Sequence, residues 1–176
     1  MHTALVTGGT RGIGLAIARA IVVSQGRVMI TGRDEAAVAA AVQSLDPGSR
    51  PDSARAIGRA ADVRDRAAMD RVVAEAVERF GSLNVLVNNA GVGVFTDVAS
   101  MTDEDWARVI DTNLTGVFYA TRAGIPAIKK AGGGWIINIA SLAGRSFFPN
   151  GAAYCASKAG LVAFTESLMQ EVRFDD

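Results

Sequence analysis

A single cysteine, Cys155, excludes an intrachain disulfide within the 176 residues and fits a reducing compartment. A single histidine, His2, leaves no zinc site, because zinc takes several His or Cys ligands. Charge of one sign is not in excess: 18 Lys and Arg stand against 18 Asp and Glu. Nucleic acid and anionic membranes both require a basic surface, so neither is expected as a partner. No apolar run is long enough to span a bilayer, and no basic-then-apolar leader precedes the first apolar run. The cytoplasm is the expected location. Charge blocks and low-complexity tracts are missing too, while 49% of the residues are apolar. A chain of this length is expected to fold as one domain, 1–176, with a sizeable core.

Short apolar runs alternate with helical patterns along the chain. Residues 3–7 read as a buried strand. Gly8, Gly9, Thr10, Arg11, Gly12, Ile13 and Gly14 follow, and Ile13, Ile17, Ala20 and Ile21 then recur at helical spacing. Strand, glycine turn and helix start in that order make a phosphate site; the other reading is a glycine-rich turn made only for tight packing. The backbone can approach an anion closely, and the helix N-terminus offers free N–H groups to it. The spacing is T-G-x-x-x-G-x-G, not G-x-G-x-x-G. Residues 27–31 form a second strand. A dinucleotide site often has an acid at this strand's end, for the ribose 2′-hydroxyl of NAD. Here Gly32 and then Arg33 stand there. A guanidinium without a carboxylate favours a 2′-phosphate, hence NADP(H) over NAD(H), and Arg11 adds a second cation. The other reading makes both arginines solvated charges, with Asp34 and Glu35 neutralising Arg33.

Residues 35–45 read as a helix, 46–53 as a proline-containing loop and 54–61 as a weak strand closed by Asp62 and Val63. Asp62 is either an acceptor for an adenine amino group or a strand-end turn residue. Asp65 is placed to cap a helix whose stripe is Met69, Val72, Val73, Ala76, Val77 and Phe80. Residues 83–87 are the fourth strand, and Asn88, Asn89, Ala90 and Gly91 a rigid strand-end turn. Thr102 and Asp105 resemble a capping box. They open a helix that continues toward Ala123 and carries Asn113 on an apolar stripe. That buried amide is either satisfied structurally or part of a polar site. Three glycines, 132–134, precede a fifth strand at 135–140, and 141–151 form a loop.

One helix is expected over 152–174. Tyr154 and Lys158 lie four residues apart on one face of it. A nearby cation favours phenolate over phenol, and a tyrosine tuned that way gives or takes a proton. Ser141, just after the fifth strand, can bond the same substrate oxygen. Taken alone, such a Tyr–Lys pair is an ordinary helix-surface pair. The helix carries apolar residues on both sides of that face, so it needs a second partner, another subunit or a loop of its own chain.

Five features in this order resemble the short-chain dehydrogenase/reductase family across essentially the whole chain. They are the Gly8–Gly14 turn, Asp62 with Val63, the Asn88–Gly91 turn, Asn113, and Ser141 with Tyr154 and Lys158. The resemblance implies an α/β fold, a Rossmann-type doubly wound parallel sheet in three layers, without the family's last strands. It makes Tyr154 the acid/base and Ser141 the group positioning a carbonyl or alcohol. Lys158 tunes Tyr154 and holds the nicotinamide ribose, and Asn113 supports a relay water. Gly8, Thr10, Arg11, Gly12, Ile13, Gly14, Arg33, Asp62, Val63, Asn89, Ala90 and Gly91, with Tyr154 and Lys158, fall to the cofactor. Asn88 and Gly91 would take the adenosine ribose side. No metal is implied, and Cys155 is left as a small packing residue. A small carbonyl or alcohol is the substrate, and a homo-oligomer is expected through the helices carrying Asn113 and Tyr154. Family members continue past this point with two more strands, a proline-glycine turn against the nicotinamide and a segment that closes over substrate. The fifth strand is therefore expected as an uncovered edge. The alternative function is a non-catalytic nucleotide- or partner-binding fragment.

Overall fold

Short runs rich in Val, Ile and Leu, separated by helices, can pair only in parallel, because each return path crosses a face of the sheet. The computed structural model describes residues 2–48 and 53–173. Its strands are β1 (Thr3–Val6), β2 (Arg27–Gly32), β3 (Ala56–Ala60), β4 (Val85–Asn88) and β5 (Trp135–Asn138). They lie in the order β3-β2-β1-β4-β5, with every neighbouring pair parallel. The helices are α1 (Gly12–Val23), α2 (Glu35–Leu45), α3 (Arg66–Phe80), α4 (Asp103–Ile110), α5 (Gly116–Lys130) and α6 (Ala152–Val172). The chain winds from β1 out to β3, then returns to β4 on the other side of β1. That reversal opens a crevice at the carboxyl ends of β1 and β4, where α/β sheets bind ligands.

Strand alternation sorts the core onto two faces. Leu5, Met29 and Leu86 pack with Met69, Val72, Ala76 and Ile128 of α3 and α5. Ala4, Val6, Val28, Ile30 and Val87 pack with Ala18, Ala41 and Leu45 of α1 and α2. Side chains such as Leu5, Met29, Met69 and Leu86 have no exposed surface. Each such burial is worth about 1.5–3 kcal/mol. The result is the three-layer, doubly wound arrangement, with helices over both faces.

Short-range chemistry sets the helix starts. Asp34 accepts from the Ala37 N–H at 2.7 Å and Asp65 from the Ala68 N–H at 3.2 Å. Thr102 accepts from the Asp105 N–H at 3.1 Å. The expected box there is only half made, because the Asp105 carboxylate turns to Arg108 at 2.9 Å. Gly81, at φ 81°, ends α3 in the left-handed conformation.

The structure corrects several boundaries. β3 covers Ala56–Ala60 only. β4 begins at Val85, and Asn84 just before it accepts from the Thr3 N–H and hydroxyl through its side chain. β5 ends at Asn138 rather than at residue 140. The helix expected to run unbroken through Asn113 is interrupted by a π-helical turn, Asp111–Thr115, and then continues to Lys130. α6 ends at Val172 with Arg173 in a turn, and residue 174 of the expected helix lies outside the described residues, as does part of the 46–53 loop. No helix among the described residues is long and apolar enough to cross a membrane.

Among the described residues β5 pairs with β4 on one side only, and is one of the two edges of the sheet. Trp135 and Ile137 are 57% and 45% exposed on it. An apolar trough lined by Ile128, Ile136, Leu168 and Met169 runs beside it between α5 and α6. An open edge of this kind invites pairing.

Candidate active site

Glycine chemistry builds the crevice at the carboxyl ends of β1 and β4. Gly8 and Gly12 turn the chain with φ of +64° and +56°, a conformation that costs other residues strain. Arg11 occupies the N-cap of α1 without a side-chain cap bond, and no acid lies in the first turn. The N–H groups of that turn and their partial positive charge therefore stay available to an anion. The Asn88–Gly91 turn is clamped onto this one. The Thr7 hydroxyl accepts from the N–H groups of Asn89 and Ala90, both at 3.1 Å. The Asn89 amide donates to the carbonyls of Thr7 and Gly8 at 3.0 and 2.9 Å.

The resulting cleft has a volume of about 320 Å³. Gly8, Thr10, Arg11, Gly12, Ile13, Arg33, Asp62, Val63, Asn89, Ala90 and Gly91 all line it. Two sequence expectations shift. Gly14 sits buried behind the cleft, where a Cβ would meet the Asn89 amide and the Gly8 carbonyl oxygen. Asn88 points into the protein, donating to the Thr121 hydroxyl at 3.0 Å and to Asn138 at 2.8 Å. It is therefore a link between β4, α5 and β5 and does not line the cleft.

A second arginine conditions Asp62. Arg64 grips its carboxylate, with an N–O distance of 2.6 Å, and the Arg64 N–H adds a bond at 3.0 Å. Chiefly through the Arg64 side-chain hydrogen bond, the Asp62 carboxyl is held below the usual carboxylate range. Asp62 thus reaches the cleft already tied to a local turn. Arg33 is exposed at the rim, and Asp34 is occupied in capping α2. Gly32 has its own reason: a Cβ there would lie 2.5 Å from the Thr10 methyl and 3.2 Å from a Val38 methyl. Packing leaves no space for a carboxylate at the end of β2.

The cleft suits a nucleotide in one further respect. Thr31 lines it, and the buried Thr31 hydroxyl has no hydrogen-bond partner among the described residues. A buried hydroxyl left unpaired costs about 1–3 kcal/mol, and a ligand bond removes that cost. Nothing in the sequence marks Thr31, because its need for a partner exists only in the folded sheet. Among the described residues no cluster of three His, Cys, Asp or Glu side chains is placed to hold a metal.

From the cleft, residues 91–93 lead to the second half of the site. Asn113, in the π-helical turn, accepts from the Val92 N–H and donates to the Val92 carbonyl, both at 2.8 Å. Its second amide hydrogen goes to Ser157 at 3.0 Å. Both donors are thereby used, so the side chain fastens the loop after β4 to α6. Any relay water must be held by other atoms of that turn, and π-turns often mark functional sites. Ser157 in turn donates to the Tyr154 carbonyl at 2.8 Å. Sequence reading passed over Ser157, although a serine inside a helix of a buried segment must find partners.

Lys158 is 5% exposed. Its ammonium donates to the Ile139 carbonyl at 2.7 Å and lies 5.9 Å from the centre of the Tyr154 ring. Ser141 caps the three-residue turn Leu142–Gly144, accepting from the Ala143 N–H at 3.2 Å. Its hydroxyl proton remains free to donate. Gly144 lets this turn sit against α6, since a Cβ would lie 2.8 Å from the Lys158 carbonyl oxygen. Ser141, Tyr154 and Lys158 are thus fixed by packing of one turn on one helix.

Burial pushes the Lys158 ammonium below its usual pKa. The unfolded chain then binds more protons than the folded chain between the lowered value and 10.5. Stability therefore rises with pH across that window, and the penalty of the buried charge is fully present below it. Lys158→Met is expected to abolish that alkaline rise. Urea midpoints for both proteins from pH 7 to 10.5 check it, and parallel pH profiles would refute it.

With this geometry in hand, similarity to known proteins is informative. A family model for short chain dehydrogenases matches residues 2–175. A relative from Streptomyces virginiae, assigned to monensin polyketide synthase as a ketoacyl reductase, is 45% identical over 174 residues. The alignment takes in 97% of this chain and 65% of that relative. A 3-oxoacyl-[acyl-carrier-protein] reductase of Synechocystis is 38% identical, over 97% of this chain and 68% of its own length. The solved F189W actinorhodin polyketide ketoreductase with NADPH superposes with a TM-score of 0.91 at 40% identity, covering 99% of this chain and 66% of that one. The chain thus spans about two thirds of the length of these proteins. Sheet order, glycine turn and Tyr154–Lys158 helix agree with the match in sequence: the chain belongs to the short chain dehydrogenase family.

Proposed function

We propose that this chain forms the cofactor and proton-transfer part of an NADP(H)-preferring oxidoreductase that interconverts a carbonyl and an alcohol. The observation that carries the reading is the buried Lys158 ammonium, bonded to Ile139 and set beside Tyr154 within reach of Ser141's turn. A structural helix gains nothing from desolvating a cation next to a partly buried phenol. NADP(H), when bound, supplies or accepts the hydride. The residues of the chain do the rest. Gly8, Gly12 and the first turn of α1 hold the pyrophosphate, and Thr31, Asp62 and Val63 meet the adenosine end. Arg11 and Arg33 face the 2′-phosphate. Ser141 donates its free proton in a hydrogen bond to the substrate oxygen and orients it. Tyr154 gives that oxygen its proton in reduction and takes it back in oxidation. Asn113 and Ser157 position α6 and do not touch the substrate.

The preference for NADPH rests on Gly32 and Arg33. A charge-assisted bond to phosphate is worth about 1.5–3 kcal/mol, or about tenfold or more in affinity. Arg33→Ala is therefore expected to weaken NADPH binding about tenfold and NADH binding less than twofold. Titration followed by Trp106 and Trp135 fluorescence measures both. Equal loss for the two cofactors would remove Arg33 from the discrimination. The proposal as a whole is tested by turnover of NADPH with a panel of ketones, using the 176-residue chain.

A second reading, a binding module without catalysis, draws on the open β5 edge and its trough. It predicts cofactor binding without hydride transfer to any ketone. We also propose self-association through α4–α5 and α6, where Trp106, Phe118 and Met169 are about half exposed.

A further inference from the structure

Two phenylalanines stand beside Tyr154 with much of their surface in water. Phe95, on the loop after β4, is 61% exposed, and Phe148, on the loop before α6, is 44% exposed. Phe95 lies between the other two rings, 5.7 Å from Tyr154 edge-on and 6.0 Å from Phe148. The chain provides a seat for each. A Cβ on Gly93 would lie 2.8 Å from the Phe95 ring and 3.6 Å from Tyr154. A Cβ on Gly151 would meet the Phe148 ring, two of whose atoms lie at 2.8 Å. Neither glycine has a positive φ, so ring space, not backbone conformation, is what these two glycines provide. Rings seated this way yet left exposed are a surface awaiting an apolar ligand.

We infer that Phe95 and Phe148 form a substrate-selecting aromatic wall beside Tyr154, favouring carbonyl compounds that carry a flat aromatic or bulky apolar group next to the reacting carbon. The inference rests on the oxidoreductase reading above and adds its substrate class. Both rings keep exposed surface for a third group to cover, and burying one phenyl there is worth about tenfold or more in affinity. Phe95 carries more of the effect, because it touches the reacting tyrosine as well as Phe148.

The test measures dissociation constants of acetophenone and hydroxyacetone by saturation-transfer NMR with NADP⁺ present. Wild type, Phe95→Ala, Phe95→Leu and Phe148→Ala are compared, with melting temperatures recorded. The expected result is preference for acetophenone in the wild type. The ratio of the two affinities should fall at least tenfold in Phe95→Ala and several-fold in Phe148→Ala, with partial recovery in Phe95→Leu. No acetophenone binding by wild type, or an unchanged ratio in Phe95→Ala, overturns the inference. Turnover is measured separately. Ring-dependent binding without turnover would sink the oxidoreductase reading and leave the wall standing. Turnover of hydroxyacetone with no aromatic preference would do the reverse.

Discussion

Tyr154→Phe is expected to lower the rate of ketone reduction by about 10²–10⁴-fold, the usual contribution of a positioned acid/base, while NADPH still binds. The change removes one oxygen and its proton and leaves the ring in place. The contacts that locate the ring survive, since the edge-on contact with Phe95 does not involve the hydroxyl and Ser157 bonds the Tyr154 backbone, not the phenol. Lys158 also keeps its bond to the Ile139 carbonyl. A fall in kcat with unchanged cofactor affinity is therefore the signature of a lost proton donor. Single-turnover rates with saturating NADPH, alongside the fluorescence titration, separate the two quantities. A variant retaining more than a tenth of wild-type turnover would show that another group, with Ser141 first in line, delivers the proton.

Gly14→Ala should unfold the cofactor cleft from behind. Helix propensity alone makes alanine better than glycine here by about 0.8–1 kcal/mol. The site decides otherwise. The added methyl would press on the Asn89 amide and the Gly8 carbonyl oxygen, and the Gly8 carbonyl carbon lies 3.1 Å away. Overpacking costs about 1–3 kcal/mol. The two Asn89 bonds that clamp the turns contribute roughly 1 kcal/mol each. The cost exceeds the propensity gain, so a net loss of about 2–4 kcal/mol is expected, with NADPH affinity reduced at least tenfold. Gly12→Ala separates sterics from strain. Nothing lies within 4 Å of its Cβ, but its φ is +56°, so it should cost about 1–2 kcal/mol through backbone strain alone. Urea unfolding of the three proteins gives the order. A Gly14→Ala protein as stable as wild type would mean that the two turns can separate at no cost.

Much of this architecture is legible one residue at a time. A four-residue run such as Thr3-Ala4-Leu5-Val6 just before a glycine turn reads as a buried strand, and local caps such as Asp34 and Asp65 need no tertiary information. These signals are short-range, so sequence suffices. Boundaries failed where a distant partner intervenes. Asn84, expected within the fourth strand, sits just before it with its side chain held by two donors of Thr3, far away in sequence. The helix through Asn113 is broken by a π-turn while its amide is tied to Val92 and Ser157, across two other elements.

The site divides in the same way. Residue type and spacing, which are properties of the chain, named the glycine turn, Arg33, Ser141, Tyr154 and Lys158, and with them the chemistry proposed here. Spacing could not say which of these touch a ligand. Gly14 and Asn88 carry the right identities, yet the fold places Gly14 behind the cleft and turns the Asn88 side chain into the protein interior. Nor could it reveal Thr31, Ser157 or Phe95. An unpaired hydroxyl, a buried helix serine and a ring seated over a glycine acquire their meaning from neighbours brought in by the fold. Sequence alone determined which groups are available and in what local conformation. The tertiary structure decided which of them are satisfied and which remain open to a ligand, because desolvation and packing are properties of the whole assembly of elements, not of any one of them.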